Sequence, residues 1–282
     1  MPILVDYSQV FIANLMQQPG INKTGVNENL VRHMVLNTLR SYRNKFYNTH
    51  GELIICCDNK NYWRKKVFPY YKAHRKKYRK DSDHDWNQIF DCLNKVKAEL
   101  IQTFPYKVIE IKTAEADDVI AILCKHYNDQ PVLILSGDKD FVQLQVYDNV
   151  EQYSPSRKEF LKEENPKKFL REHIMKGDRG DGIPNFMSKD DCFVNGSRQK
   201  PLRASQVEKW AEFEDAEVFC NHEMLRGYKR NELLVDLNNI PDAIREKILD
   251  DTMVEKEVDR SQLLPYFIEH NLKNLTEYIQ DF

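Results

Sequence analysis

The chain has no long apolar run. None approaches the ~20 residues needed to span a bilayer, so no membrane partner is expected. The start, Met1-Pro2-Ile3-Leu4-Val5-Asp6, lacks a basic opening and reaches an acid at once, so no signal peptide is expected and the protein is assigned to the cytoplasm. The six cysteines (56, 57, 92, 124, 192 and 220) contain no CxxC and no zinc spacing, which leaves reduced core thiols as the plain reading. Cys56 and Cys57 are adjacent in an expected strand and cannot face one partner. There is no GxxxxGK[ST] loop for nucleotide phosphates, no internal repeat and no low-complexity segment.

Charge of one sign is missing locally. The net charge of −2 averages two opposed regions. From Lys60 to Lys80 there are ten Lys/Arg and no acid, whereas Ser205 to Phe282 carries eighteen Asp/Glu against nine Lys/Arg. A polyanion site is therefore expected in the first half and not over most of the last third.

The apolar pattern predicts an α/β protein with a mostly parallel central sheet flanked by helices. Strands are expected at Ile3–Val5, Leu53–Cys57, Lys107–Ile111, Val132–Ser136 and Val150–Tyr153. Residues 17–25 read as a loop and Asn27 as an N-cap, followed by a helix with Val31, Val35, Leu39, Tyr42 and Phe46 on one face. Ile89, Leu93, Val96 and Leu100 mark another helix. A third carries Ala116, Val119, Ile120, Leu123 and Tyr127, capped by Thr113, with Glu115 and Asp117 beside the buried stripe and Asp118 toward solvent. From Pro166 onward only helices and turns are expected, including Lys168–Met175, Val207–Phe219 and Pro241–Leu249. The division is a core over 1–165 and a helical part over 166–282.

Acids recur where such a sheet does chemistry. Asp6 and Asp58 end strands, Glu115 and Asp117 begin a helix, Asp138 and Asp140 follow Ser136-Gly137, and Asp178 and Asp181 sit in the turn Gly177–Pro184. The carboxyl ends of parallel strands converge on one crevice. A lone Asp after a strand is often only a cap or turn residue. Capping needs one acid per element, however, and does not account for the pairs at 115/117 and 138/140. Eight carboxylates brought together would repel unless hard cations such as Mg²⁺ bound them. Two such ions ~4 Å apart can hold a phosphodiester and activate water. A nucleophilic Asp-x-Asp phosphatase would place its pair after the first strand, where only Asp6-Tyr7-Ser8 stands.

Between residues 60 and 80, Arg64, Lys65, Lys72 and Arg75 interleave with Tyr62, Trp63, Tyr70, Tyr71 and Tyr78. Cations suit phosphates and rings stack on bases, so nucleic acid is the expected partner. A merely solvated charged face would not account for the rings. On a helix, Lys72 and Arg75 would be about a turn apart and could face one phosphate.

Val5-Asp6-Tyr7-Ser8, Cys57-Asp58-Asn59, Tyr62-Trp63-Arg64, Tyr71-Lys72-Ala73-His74-Arg75, Glu115-Ala116-Asp117-Asp118, Ser136–Phe141 and Gly177–Asp181, in this order and spacing, resemble the structure-specific 5′-nucleases: flap endonucleases and the 5′-nuclease domains of bacterial DNA polymerases. The resemblance implies a PIN-like nuclease core, a helical arch (residues 60–85) and a helix–turns–helix element (168–190). It implies two Mg²⁺ ions, for which Mn²⁺ can substitute. The first would be held by Asp6, Asp58, Glu115, Asp117 and Asp138, the second by Asp140, Asp178 and Asp181, some of these through water. It makes Lys72 and Arg75 catalytic toward the scissile phosphate, and Lys189 a duplex contact. It further implies 5′→3′ exonuclease and flap endonuclease activity of a monomer on RNA–DNA hybrids, flaps and nicked DNA. Primer removal beside a single-strand-binding protein and a sliding clamp would be its setting. The chain departs from the pattern at Asp181-Gly182-Ile183-Pro184-Asn185, where many members continue with Pro-Gly or Gly-Val after the isoleucine, and residues 191–282 carry no transferable motif. A single-strand endoribonuclease of the same sheet class and a non-catalytic junction-binding protein are the rival readings.

Overall fold

The computed structural model describes residues 1–18, 25–256 and 259–282. Most of the loop expected at 17–25 lies outside these. The strands are β1 (Pro2–Asp6), β2 (Glu52–Cys56), β3 (Lys107–Ile109), β4 (Val132–Leu135), β5 (Val150–Ser154) and β6 (Glu159–Leu161). They form one sheet in the order β3-β2-β1-β4-β5-β6. The first five run parallel. β6, absent from the expected strands, turns back antiparallel on β5 and closes that edge.

Strand residues alternate between two buried faces, as the pleat requires. Ile3, Val5, Leu53, Ile55, Leu133 and Leu135 face α1 (Tyr7–Met16), α2 (Glu28–His50) and α3, a helix over Trp86–Thr103. Leu4, Ile54, Cys56, Val132 and Ile134 face a helix over Ala116–His126, here α4. Cys56 and Cys57 accordingly enter opposite layers, and all six thiols are free. Asn27 caps α2 as expected, its side chain accepting from the Leu30 amide at 3.1 Å.

The part beyond residue 166 is divided in space. α5 (Pro166–Lys176), α6 (Ala204–Trp210) and α7 (His222–Val235) share a third apolar cluster with Phe68 and Tyr71 of the basic stretch. Asp242–Met253 (α8) instead returns to the layer of α4 through Ile244 and Ile248. Leu263, Phe267 and Phe282 return to the opposite layer. The helix expected over Val207–Phe219 ends at Trp210. Asp215 restarts the chain as a short 3₁₀ turn, its carboxylate accepting from the Glu217 amide at 2.8 Å.

Phe282 is fully buried, with ring centroids 5.3 Å from Phe267 and 5.7 Å from Phe104. Phe282→Ala is expected to cost about 3–5 kcal/mol in urea unfolding. A loss under ~1 kcal/mol would show that the terminal ring is not part of the core.

Candidate active site

β1 is central, and the chain leaves it toward β2 on one side and toward β4 on the other. Where the strand order reverses, the carboxyl ends open a crevice. Asp6 ends β1 and caps α1, accepting from the Gln9 amide at 3.0 Å, and Ser136 Oγ donates to its other oxygen at 3.2 Å. Asp58 lies just past β2. Ser8 Oγ donates to it at 2.7 Å and the Ala116 amide at 2.9 Å, which ties it to the start of α4. Past β4, Asp138 caps a 3₁₀ helix over Lys139–Val146, accepting from the Asp140 amide at 3.0 Å.

The start of α4 differs from expectation. Its cap is Glu115, not Thr113, which sits in a turn at φ +75°. Counted from that cap, Asp118 is the third helical residue, and such a side chain turns back to the cap amide. Asp118 is fully buried and accepts from Glu115 N at 2.9 Å, Trp63 Nε1 at 3.1 Å and Arg64 Nη1 at 2.8 Å. It holds the scaffold and does not face solvent.

The basic stretch is partly turned inward. Arg64, expected on the nucleic-acid face, is 2% exposed and donates to Glu115, Asp118 and the Leu234 carbonyl. Tyr71, expected there too, is buried, with its hydroxyl within hydrogen-bond reach of Glu115 at 3.0 Å and of Asp181 at 2.8 Å. Lys72 lies in a turn at φ +54°, not on a helix shared with Arg75. The two meet on an acid instead. Lys72 Nζ is 2.5 Å from Glu115 and 3.5 Å from Asp181, while Arg75 donates to Asp181 at 2.6 Å and to the Gly180 carbonyl at 2.9 Å. Lys65 is exposed and covers the Tyr62 ring at 4.3 Å. Lys189 is exposed beyond the glycine turn.

That turn needs its first glycine. Gly177 has φ +66°, and a Cβ there would lie 2.5 Å from the Ile183 and Pro184 carbonyls. Asp178 accepts from the Asp181 amide at 3.0 Å, from Lys139 Nζ at 2.6 Å and from His173 Nε2 at 3.3 Å. His173 and Lys139 were missed in the sequence. Lys139 stands between the two acids of its own motif. The sign of His173 is only its position five residues before Asp178, on the helix expected over Lys168–Met175.

Electrostatics binds the acids into one constellation. Burial, then Asp58 and Asp138, push Asp6 up to about 7. Burial holds Asp117 well above the usual range against the pull of Lys72, with Asp138, Glu115 and Asp58 adding to it. Asp140 rises to about 7 through burial and Asp138. Asp178 is the opposite case: against burial, its bonds from His173 and Lys139 hold it well below the ordinary value. Oxygen donors crowded until they repel, one of them the buried and unpartnered Asp140 Oδ1, fit divalent cations. Asp140, His173 and Asp178 offer ligand atoms within 4.8 Å of one another.

Fold and acids together define a nuclease of the resolvase-like sheet class. A family model for the 5′-3′ exonuclease N-terminal resolvase-like domain matches residues 3–173, and one for the T4 RNase H C-terminal part matches residues 167–282. The chain belongs to the 5′-3′ exonuclease family. It is 34% identical to the ribonuclease H of Enterobacteria phage T4 over 99% of this chain and 95% of that one. It is 27% identical to a 5′-3′ exonuclease of Buchnera aphidicola over 64% of each. A structure of the bacteriophage T5 flap endonuclease, a pseudo-enzyme-product complex with DNA and metal ions, shares the fold with TM-score 0.63 and 17% identity, over 90% of this chain and 99% of that one. Among the described residues no helix is long and apolar enough to cross a membrane.

The raised carboxyls give a signed pH dependence. A folded-state value near 7 against 3.8 for an ordinary Asp means the folded protein binds more protons between them, so stability falls as pH rises through that window. In EDTA, unfolding free energy is expected to drop by on the order of 2–4 kcal/mol from pH 5 to pH 8. Asp6→Asn flattens part of the drop, and Mg²⁺ restores stability at pH 8. A flat profile in EDTA would show that burial and the neighbouring acids do not raise these carboxyls.

Proposed function

We propose that this protein is a Mg²⁺-dependent 5′→3′ exonuclease and flap endonuclease that acts on RNA–DNA hybrids and DNA and removes RNA primers during lagging-strand synthesis. The observation that carries the reading is a cavity of about 1060 Å³ with Asp58 and Glu115 among its lining residues. Its walls hold Lys60, Lys65, Lys72, Arg75 and Arg79 together with Tyr62, Tyr78, Trp86 and Phe90. A single strand entering there would meet cations for its phosphates and rings for its bases, beside Asp58 and Glu115.

Asp6, Asp58, Glu115, Asp117 and Asp138 would hold a first cation, and Asp140, Asp178 and Asp181 would serve a second. When bound, these cations would orient the phosphodiester, offset its developing charge and make a water nucleophilic at neutral pH. The remaining work belongs to the chain. Ser8, Gln9 and Ser136 hold Asp58 and Asp6 in place. Lys72 and Arg75, paired here with Glu115 and Asp181, would be the cations available to the scissile phosphate when those acids hold metal instead. Lys65 and Lys189, both exposed, are assigned to the strand and the duplex respectively. A monomer in the cytoplasm (of the host, if the chain is phage-encoded), beside a single-strand-binding protein and a sliding clamp, is the setting this activity implies.

The test is a nicked duplex with a labelled 5′ tail, made once as RNA and once as DNA, with Mg²⁺ or EDTA. Mg²⁺-dependent release of the tail or of short products is expected, with Asp138→Asn lowering turnover by at least ~10³-fold while the fold is kept. Lys72→Ala is expected to slow single-turnover cleavage by roughly 10²-fold with little loss of binding. Protection of the junction without cutting in Mg²⁺ or Mn²⁺ would favour a binding protein. Cutting that ignores the 5′ end would favour an endoribonuclease.

A further inference from the structure

Two buried polar atoms in the second acid group have no hydrogen-bond partner among the described residues: Asp140 Oδ1 and His173 Nδ1. They face each other at 3.6 Å. His173 is 5% exposed and Asp140 half-buried, so water offers little compensation for an unpaired nitrogen at that depth. The other side of the imidazole is engaged. Nε2 meets Asp178 Oδ2 at 3.3 Å, and the Phe169 ring packs edge-on with its centroid 6.0 Å away. Both oxygens of Asp178 are occupied, one by Lys139 and His173, the other by the Asp181 amide. Asp178 thus orients the ring through Oδ2.

This is how a metal-binding histidine is usually held. One nitrogen donates to a carboxylate, which sets the tautomer and aims the other nitrogen at the ion. Donors each ~2.1 Å from a cation lie at most ~4.2 Å apart, and the observed separation falls within that limit. We infer that His173 Nδ1 and Asp140 Oδ1 are ligands of one divalent cation, with Asp178 as the positioning residue behind the imidazole. A nitrogen donor shifts a site away from Mg²⁺, which takes oxygen, and toward Mn²⁺, Co²⁺ or Zn²⁺. The second cation position of this chain therefore prefers a metal of intermediate hardness, while the first, built of carboxylates alone, suits Mg²⁺.

The inference rests on the nuclease reading of the site, and Co²⁺ separates the two. In the full chain with histidines isotopically labelled, one of the eight imidazoles is expected to show a large paramagnetic shift on Co²⁺ addition, and that signal is absent in His173→Gln. Glutamine keeps an amide that can donate to Asp178 and removes the Nδ1 ligand. It is therefore expected to lower the Co²⁺-to-Mg²⁺ affinity ratio, measured by calorimetry, on the order of ten-fold or more. A purely structural histidine would be rescued by glutamine, and an unchanged ratio would overturn the inference. Should the variant not fold, the wild-type spectrum decides alone: saturating Co²⁺ with no histidine resonance displaced sinks the proposal. Cleavage in Mg²⁺ is followed in parallel. If it is present while His173 stays untouched by Co²⁺, only this inference fails. If cleavage is absent with every metal, the nuclease reading fails instead.

Discussion

The constraint behind this structure is the repulsion of carboxylates that a parallel sheet forces together. Strands buried on both faces can carry chemistry only at their ends, and reversal of the strand order at β1 and β4 directs those ends into one crevice. Burial and then the neighbouring acids raise proton affinity there, as Asp6 and Asp140 show. The protein meets the repulsion with cations of its own. Arg64 and Lys72 pair with Glu115, Arg75 with Asp181 and Lys139 with Asp178.

Those pairs give the basic stretch two tasks. Arg64 and Tyr71 turn inward and join α4 to the helical part through Glu115, Asp118, Asp181 and the Leu234 carbonyl. Phe68 and Tyr71 bury their rings among Ile174, Met175, Ile183 and Phe186. The stretch is anchored at this inner end. Lys65, Lys76, Lys77 and Arg79, by contrast, remain exposed. The element is thus held at its base by ion pairs and carries exposed cations beyond them. The C-terminal residues support the same core from behind, since Ile248 and Phe282 seal opposite layers of the sheet.

Much of this was legible in the sequence. The period-two and continuous apolar runs located the five parallel strands, and the acids that follow them located the crevice. β6 was not legible, because Glu159, Phe160 and Leu161 are largely exposed and make a short edge with little apolar pattern. The helix break after Trp210 depends on one cap at Asp215, which periodicity does not register. His173 looked like an ordinary residue of an amphipathic helix, since its role exists only where Asp140 and Asp178 approach from other elements.

What the sequence determined by itself is chemistry of a given kind at given points in the chain: six carboxylates at strand and helix ends and two in a glycine turn, a run of cations and rings free of acid, and a sheet to carry them. Hydrophobic period and local capping rules act between neighbours, so they can be read from a string of residues. Which side chain serves as ligand, counter-ion or scaffold was decided only in three dimensions. Asp117 and Asp118 are adjacent, yet one joins the acid cluster and the other locks Trp63 and Arg64. Lys72 and Arg64 are both basic, yet only Lys72 lies beside the open cavity. Burial and the distances between residues far apart in sequence assign those roles, because the energy of a charge depends on what surrounds it.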